Sequence, residues 1–155
     1  MINNDVIRSV RYILNLNDKK IVEIIKLADF EVQLVDVQDF LLKEDEPNYL
    51  ECPDIVMANF LDGLIYFKRG HDKDKPPVPF DLPISNNTIL KKLRVAFELK
   101  EDDLHAIFDK AGFKIGKHEL SAFLRKQGHS NYRNCGDQVL RYFLKGLTIK
   151  LRGSH

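Results

Sequence analysis

The sequence predicts an all-α protein built from two tandem four-helix units related by a pseudo-two-fold axis. Three observations carry this. The stretch NYLECPDIVMANFLDGLIYFKRG (48–70) returns as NYRNCGDQVLRYFLKGLTIKLRG (131–153), with 11 of 23 positions identical. The same offset of 83 lays residues 3–70 on 86–153 without a gap, and 21 of 68 positions match. Apolar residues recur at helical spacing through both copies, and no segment alternates strongly enough for a strand, 32–37 coming nearest. Two copies are too few for a solenoid. A duplicated domain with a pseudo-dyad is the natural product.

Each element follows in order. The first helix starts at Asn3-Asn4-Asp5 or Asn86-Asn87-Thr88, with asparagine as the N-cap. Val6, Ile7, Val10, Ile13 and Leu14 then fall on one face, as do Ile89, Leu90, Leu93, Ala96 and Phe97. A short second helix begins at Asp18 or Glu101, and a third covers about 34–43 or 117–126. The fourth runs from about 53 to 68 and from 137 to 151, with Val56, Met57, Phe60, Leu61, Leu64 and Phe67 as its apolar stripe. Pro53 suits a first helical turn, and Asp54 and Asp137 face the positive end of the helix dipole. Gly70 and Gly153 follow a basic residue in the pattern of a C-cap. Gly63 and Gly146 stand mid-helix, where glycine is about 1 kcal/mol worse than alanine. Their return predicts close approach of another helix, the two fourth helices crossing at the pseudo-dyad being the candidate pair.

The organisation is a first unit over 1–70, a linker over 71–85 and a second unit over 86–153. The linker, HDKDKPPVPFDLPIS, holds Pro76, Pro77, Pro79 and Pro83, which forbid a helix and predict an extended chain lying against the surface. Ser154-His155 reads as the start of a purification tag and stays outside the argument.

Composition excludes some classes. An apolar fraction of 44% and a charged fraction of 30% belong to a soluble globular chain. No apolar run reaches the roughly 20 residues of a membrane helix. The N-terminal MINNDVIRSVRYIL lacks the pattern of a secretory leader, and two cysteines are too few for a disulfide framework, so a cytoplasmic setting is expected. Net charge is +1 but uneven, −5 over 1–70 and +7 over 86–153. The halves attract each other, or the basic half meets an anionic partner, or the faces are simply solvated with a chance bias of charge.

Chemistry is sparse. The acidic patch 43–47 with Glu51 and Asp54 loses nearly all its charge in the second copy, at 126–130, so it reads as a solvated helix end. The five histidines form no ligand pattern, and there is no P-loop, nucleophile elbow or dinucleotide fingerprint. Cys52 and Cys135 sit at or just before a helix N-terminus, where a thiol's pKa can fall, and are candidate reactive thiols. The competing reading is a small hydrophobe filling a notch. Together with Asp54 and Asp137 they lack zinc-site spacing. No metal, cofactor or catalytic residue is predicted.

Basic residues offer more. Arg8 and Arg11 on the first helix, and Lys91, Lys92 and Arg94 in the second copy, are candidate anion or nucleic-acid contacts. Lys145, Lys150 and Arg152 extend the basic character, while Tyr132-Arg133 and Arg141-Tyr142 are stacking or core positions. Helix-turn-helix spacing is absent.

The combination NNDVIRSVRYIL, LLKED, CPDIV…FLDGLIYFKRG, NNTILKKLRVAF and NCGDQVLRYFLKGL resembles the YehS-like bacterial proteins, from Asn3 to about Leu147. The resemblance implies a small cytoplasmic bacterial protein with a tandem-duplicated domain of unknown function. It carries over no catalytic residue, cofactor or substrate. The expected function is a non-enzymatic binding or regulatory protein contacting a protein partner. A nucleic-acid-binding module using the basic second unit comes next, and an enzyme third.

Overall fold

A computed structural model describes residues 2–71 and 81–153. The fold is all-α, with two tandem four-helix units. The first contains α1 (Asn3–Leu14), α2 (Asp18–Lys26), α3 (Leu34–Phe40) and α4 (Asp54–Arg69). The second contains α5 (Asn86–Ala96), α6 (Glu101–Lys110), α7 (Lys117–Leu124) and α8 (Asp137–Arg152). Helix starts repeat at the offset of 83 throughout. No strand occurs among the described residues, 32–37 included. The compact units are Ile2–Ile84 and the chain from Ser85 onward.

Within each unit the second and fourth helices form the most extensive packing pair. Ile21, Ile24 and Ile25 of α2 meet a fully buried Met57, Phe60, Leu61 and Leu64 on α4. Leu104, Ile107 and Phe108 of α6 and Leu140, Phe143 and Leu147 of α8 repeat the arrangement. The apolar stripe of the fourth helix is shorter than its sequence pattern. Phe67 and Leu151, near its end, are exposed, and the Lys20 ammonium sits 5.0 Å from the Phe67 ring.

Glycine explains how closely these helices approach. A Cβ built on Gly63 would lie 2.8 Å from the carbonyl carbon of Ile24, and nearer still to its oxygen. One built on Gly146 would lie 2.7 Å from the carbonyl carbon of Ile107. The close neighbour is therefore the second helix of the same unit, where the sequence pointed to the other fourth helix. The mid-helix position of glycine reflects backbone laid against backbone.

Helix ends differ from expectation in three places. The N-caps of α1 and α5 are Ile2 and Ser85, with the Ser85 hydroxyl accepting from the Thr88 amide, so the Asn-Asn pairs lie inside the first turn. Pro53 is itself the N-cap of α4, not its first helical residue. The third helices stop at Phe40 and Leu124, short of the anticipated 43 and 126. Gly70 and Gly153 do end their helices at positive φ, 87° and 91°, donating to the carbonyls of Tyr66 and Ile149.

The displaced asparagines have a larger task. Asn4 is fully buried. Its Nδ2 donates to the carbonyls of Phe40 (3.1 Å) and Leu50 (2.8 Å), and its Oδ1 accepts from the Cys52 amide at 2.9 Å. Asn3 donates to the Cys52 carbonyl and to Asp54 Oδ1, at 3.0 and 2.8 Å. Asn87 and Asn86 repeat every one of these bonds with Phe123, Arg133, Cys135 and Asp137. Each Asn-Asn pair thus clamps the first helix to the end of the third, to the following loop and to the start of the fourth. The recurrence of Asn and Asp at the same offset follows from this one device, in which Cys52 and Cys135 take part through their backbone alone.

The anticipated surface course of the linker falls largely on 72–80, outside the described residues. At its described end, the Ile84 amide donates to Asp54 Oδ2 at 3.1 Å, so the clamp carboxylate of the first unit holds two partners.

Candidate functional site

The basic residues singled out by sequence are occupied with their own fold. Arg8 donates to the Leu42 carbonyl at 3.2 Å and pairs with Asp5 at 2.7 Å. Its counterpart Lys91 donates to the Arg125 carbonyl at 2.8 Å, and burial holds its amine below the usual lysine range. Both therefore close off the chain just past the third helix, where carbonyls lack intrahelical partners. Arg11 lies 3.6 Å from Asp18, and the Arg94 Nε donates to the Leu99 carbonyl at 3.0 Å. Lys92 is half-buried beside them on α5.

The cysteines are placed by the clamp. Cys52 and Cys135 are 2% and 5% exposed. Burial, and then the neighbouring Asp54 or Asp137, pushes their thiols up from 9.0 to about 12 and about 11. Desolvation outweighs any lowering by the helix N-terminus. The raised values mean that the thiols favour the folded state only while protonated. That contribution is complete below the ordinary value of 9.0 and fades as pH climbs toward about 11 to 12. Iodoacetamide at about pH 8 should therefore label both at least about 100-fold more slowly in the native protein than in urea. Comparable rates would mean that the thiols are open to reagent. No group of three His, Cys, Asp or Glu side chains able to hold a metal occurs among the described residues.

What the frame does present is an open groove of about 980 Å³ in the second unit. One wall is α7 and the other is the loop 130–133. The fold fixes both walls. Asn87 holds the carbonyls of Phe123 and Arg133, the Arg133 amide donates to the Ala122 carbonyl at 3.1 Å, and Lys91 holds the Arg125 carbonyl. The loop is braced internally by the Asn131 amide on His129 Nδ1 and the Tyr132 amide on the His129 carbonyl.

Lys117, His118, Arg125 and Arg133 point the chemistry of this groove toward anions. Arg133 faces Glu119 at 3.9 Å across a solvated gap, a pairing worth at most about 1 kcal/mol. The side chains of Lys117, His118 and Arg125 make no hydrogen bond or ion pair with the described residues. Gly116 caps α7 without a side-chain bond, which adds the positive end of the helix dipole to the same rim.

The two copies differ at this groove. At the offset of 83, Lys117, His118, Arg125 and Arg133 correspond to Leu34, Val35, Leu42 and Leu50. Every one of the four basic positions is aliphatic in the first unit. The backbone around them is the same: the Leu50 amide donates to the Asp39 carbonyl, Asn4 holds the Leu50 carbonyl, and Arg8 holds that of Leu42. Asn131 and Tyr132 match Asn48 and Tyr49. In the first unit this face remains partly open, with Val35 58% and Leu50 41% exposed. No sequence motif marks it, since His118 belongs to no ligand pattern. The signal lay in a position-by-position subtraction of the copies.

A family described as "Protein of unknown function (DUF1456)" matches residues 3–70 and again residues 86–153. The chain belongs to this family. Its duplicated region coincides with the two clamped units. The chain is also 47% identical over 150 residues to the uncharacterized protein YehS of Escherichia coli (strain K12), covering 97% of this chain and 96% of that one. No solved structure matches the chain. Among the described residues no helix is long and apolar enough to cross a membrane.

Proposed function

We propose that this family member is a non-enzymatic binding protein whose second unit receives an acidic segment of a partner protein in the α7 groove. One observation carries the reading: four positions that are aliphatic in the matching frame of the first unit are Lys117, His118, Arg125 and Arg133 in the second. Scattered solvated charges have no reason to fall on one groove in this way. A groove with small floor residues, Ser121 and Ala122, admits an extended chain, and its charges supply selectivity and a fast encounter. The acidic Glu119 in the lining, and the internal engagement of Arg8, Arg11, Lys91 and Arg94, weigh toward protein over nucleic acid. The two free, buried thiols support placing it in the cytoplasm, where disulfides are rare.

Fluorescence anisotropy tests the reading with a labelled deca-glutamate peptide and a labelled single-stranded RNA across a salt series. The peptide is expected to bind at low salt and to weaken as salt rises. Replacing Lys117, Arg125 and Arg133 by glutamate should lower its affinity by about tenfold or more. Tighter binding of the RNA, with a steep salt slope lost in the same variant, would replace this reading by the nucleic-acid one. Binding of neither probe would remove the groove from consideration.

A further inference from the structure

We propose that the occupant of the cationic groove is the acidic loop 43–50 of a second copy of this chain, so that copies associate head to tail. This rests on the groove reading above and names its partner. The first unit supplies the complementary piece from the same place on the same frame. Past the end of α3, residues 43–48 are all exposed and hold Glu44, Asp45 and Glu46 in succession. Glu51 follows just beyond. The groove opposes them with Lys117, Arg125 and Arg133.

The loop is already shaped for docking. Its Lys43 amide donates to Glu46 Oε1 at 3.0 Å, the Glu46 amide to the Lys43 carbonyl, and the Tyr49 amide to the Glu46 carbonyl. A loop braced in this way loses little conformational freedom on binding. Leu50 and Val35 lie open beside it, and the aliphatic stems of lysine and arginine cover such surface while their heads meet carboxylates. The charge of the whole chain follows the same division, −5 over 1–70 against +7 over 86–153. Because loop and groove are different surfaces, the interface is heterologous, and each copy that docks its loop leaves its own groove for the next.

Sedimentation velocity on the full chain tests this, from about 1 to 500 µM protein in about 20 mM and about 500 mM NaCl. Mass is expected to grow with concentration at low salt and to fall back toward the 18.0 kDa monomer at high salt. A loop variant (Glu44→Lys, Asp45→Lys, Glu46→Lys) and a groove variant (Lys117→Glu, Arg125→Glu, Arg133→Glu) should each weaken association by about tenfold. Circular dichroism confirms that both remain folded. Mixed in equal amounts, the two variants should associate again, because the basic loop of one now meets the acidic groove of the other. A wild-type chain that stays monomeric at all concentrations, or that associates without regard to either set of charges, overturns the proposal. If such a monomer still binds deca-glutamate, the groove reading stands and only the second copy is wrong. If it does not, both fall.

Discussion

Asn4→Ala should lower the stability of the first unit by about 3–6 kcal/mol, read as a shift of its urea midpoint. The side chain is fully buried and makes three hydrogen bonds, to the carbonyls of Phe40 and Leu50 and from the amide of Cys52. Alanine leaves the Phe40 carbonyl and the Cys52 amide unpaired away from water, at about 1–3 kcal/mol each, and takes the partner from the Leu50 carbonyl, which is only part-buried. Against a total stability of about 5–15 kcal/mol for a domain, that loss threatens the fold itself. Asn87→Ala should do the same to the second unit, through Phe123, Arg133 and Cys135. Asn4→Asp supplies the sharper control. It keeps an acceptor for the Cys52 amide but sets carboxylate oxygen against two carbonyls. It should be at least as damaging at neutral pH and recover in part as the carboxyl is protonated. A midpoint shift below about 1 kcal/mol for Asn4→Ala would mean that solvent replaces the clamp.

Gly63→Ala is the second large effect, and its sign separates two arguments. Helix propensity alone predicts a gain of about 1 kcal/mol. Packing predicts a loss, because the new Cβ would stand 2.8 Å from the carbonyl carbon of Ile24 and 3.3 Å from its Cγ2. A side chain could rotate away, but a helix carbonyl cannot. Helix α2 must shift off α4, loosening Ile21, Ile24 and Ile25 against Met57, Phe60, Leu61 and Leu64. The expected net loss is about 2–3 kcal/mol by chemical denaturation, typical of an overpacked core. Gly146→Ala should behave alike against Ile107. A raised midpoint in either variant would show that the helices have room to part.

Much of the fold was legible because local signals agree with the duplication. Helical spacing at Ile21, Ile24 and Ile25, repeated at Leu104, Ile107 and Phe108, marks the second helix of each unit. Gly70 and Gly153 mark the ends of the fourth helices, since positive φ is a local demand. What stayed hidden depends on partners far along the chain. Asparagine at a helix start reads as a cap, yet the acceptors of Asn4 lie 36 and 46 residues away. The neighbour of Gly63 is a backbone atom of another helix, which no pattern around the glycine encodes. The groove was hidden for another reason. Lys117, His118 and Arg125 fall in no recognisable motif, and Arg133 reads beside Tyr132 as a stacking or core position. Only the aliphatic residues in their counterpart positions set the four apart as a group.

The clamp has one more consequence, for hydrogen exchange. The Cys52 and Cys135 amides belong to loops, where exchange with solvent is ordinarily fast, yet each donates to a buried asparagine on the first helix of its unit. Neither can exchange until that helix lifts away. Their protection therefore tracks the opening of a whole unit and not the fraying of a loop. One chain thus carries two matched internal clocks, and the difference between their rates measures how unequally the two duplicated halves hold together.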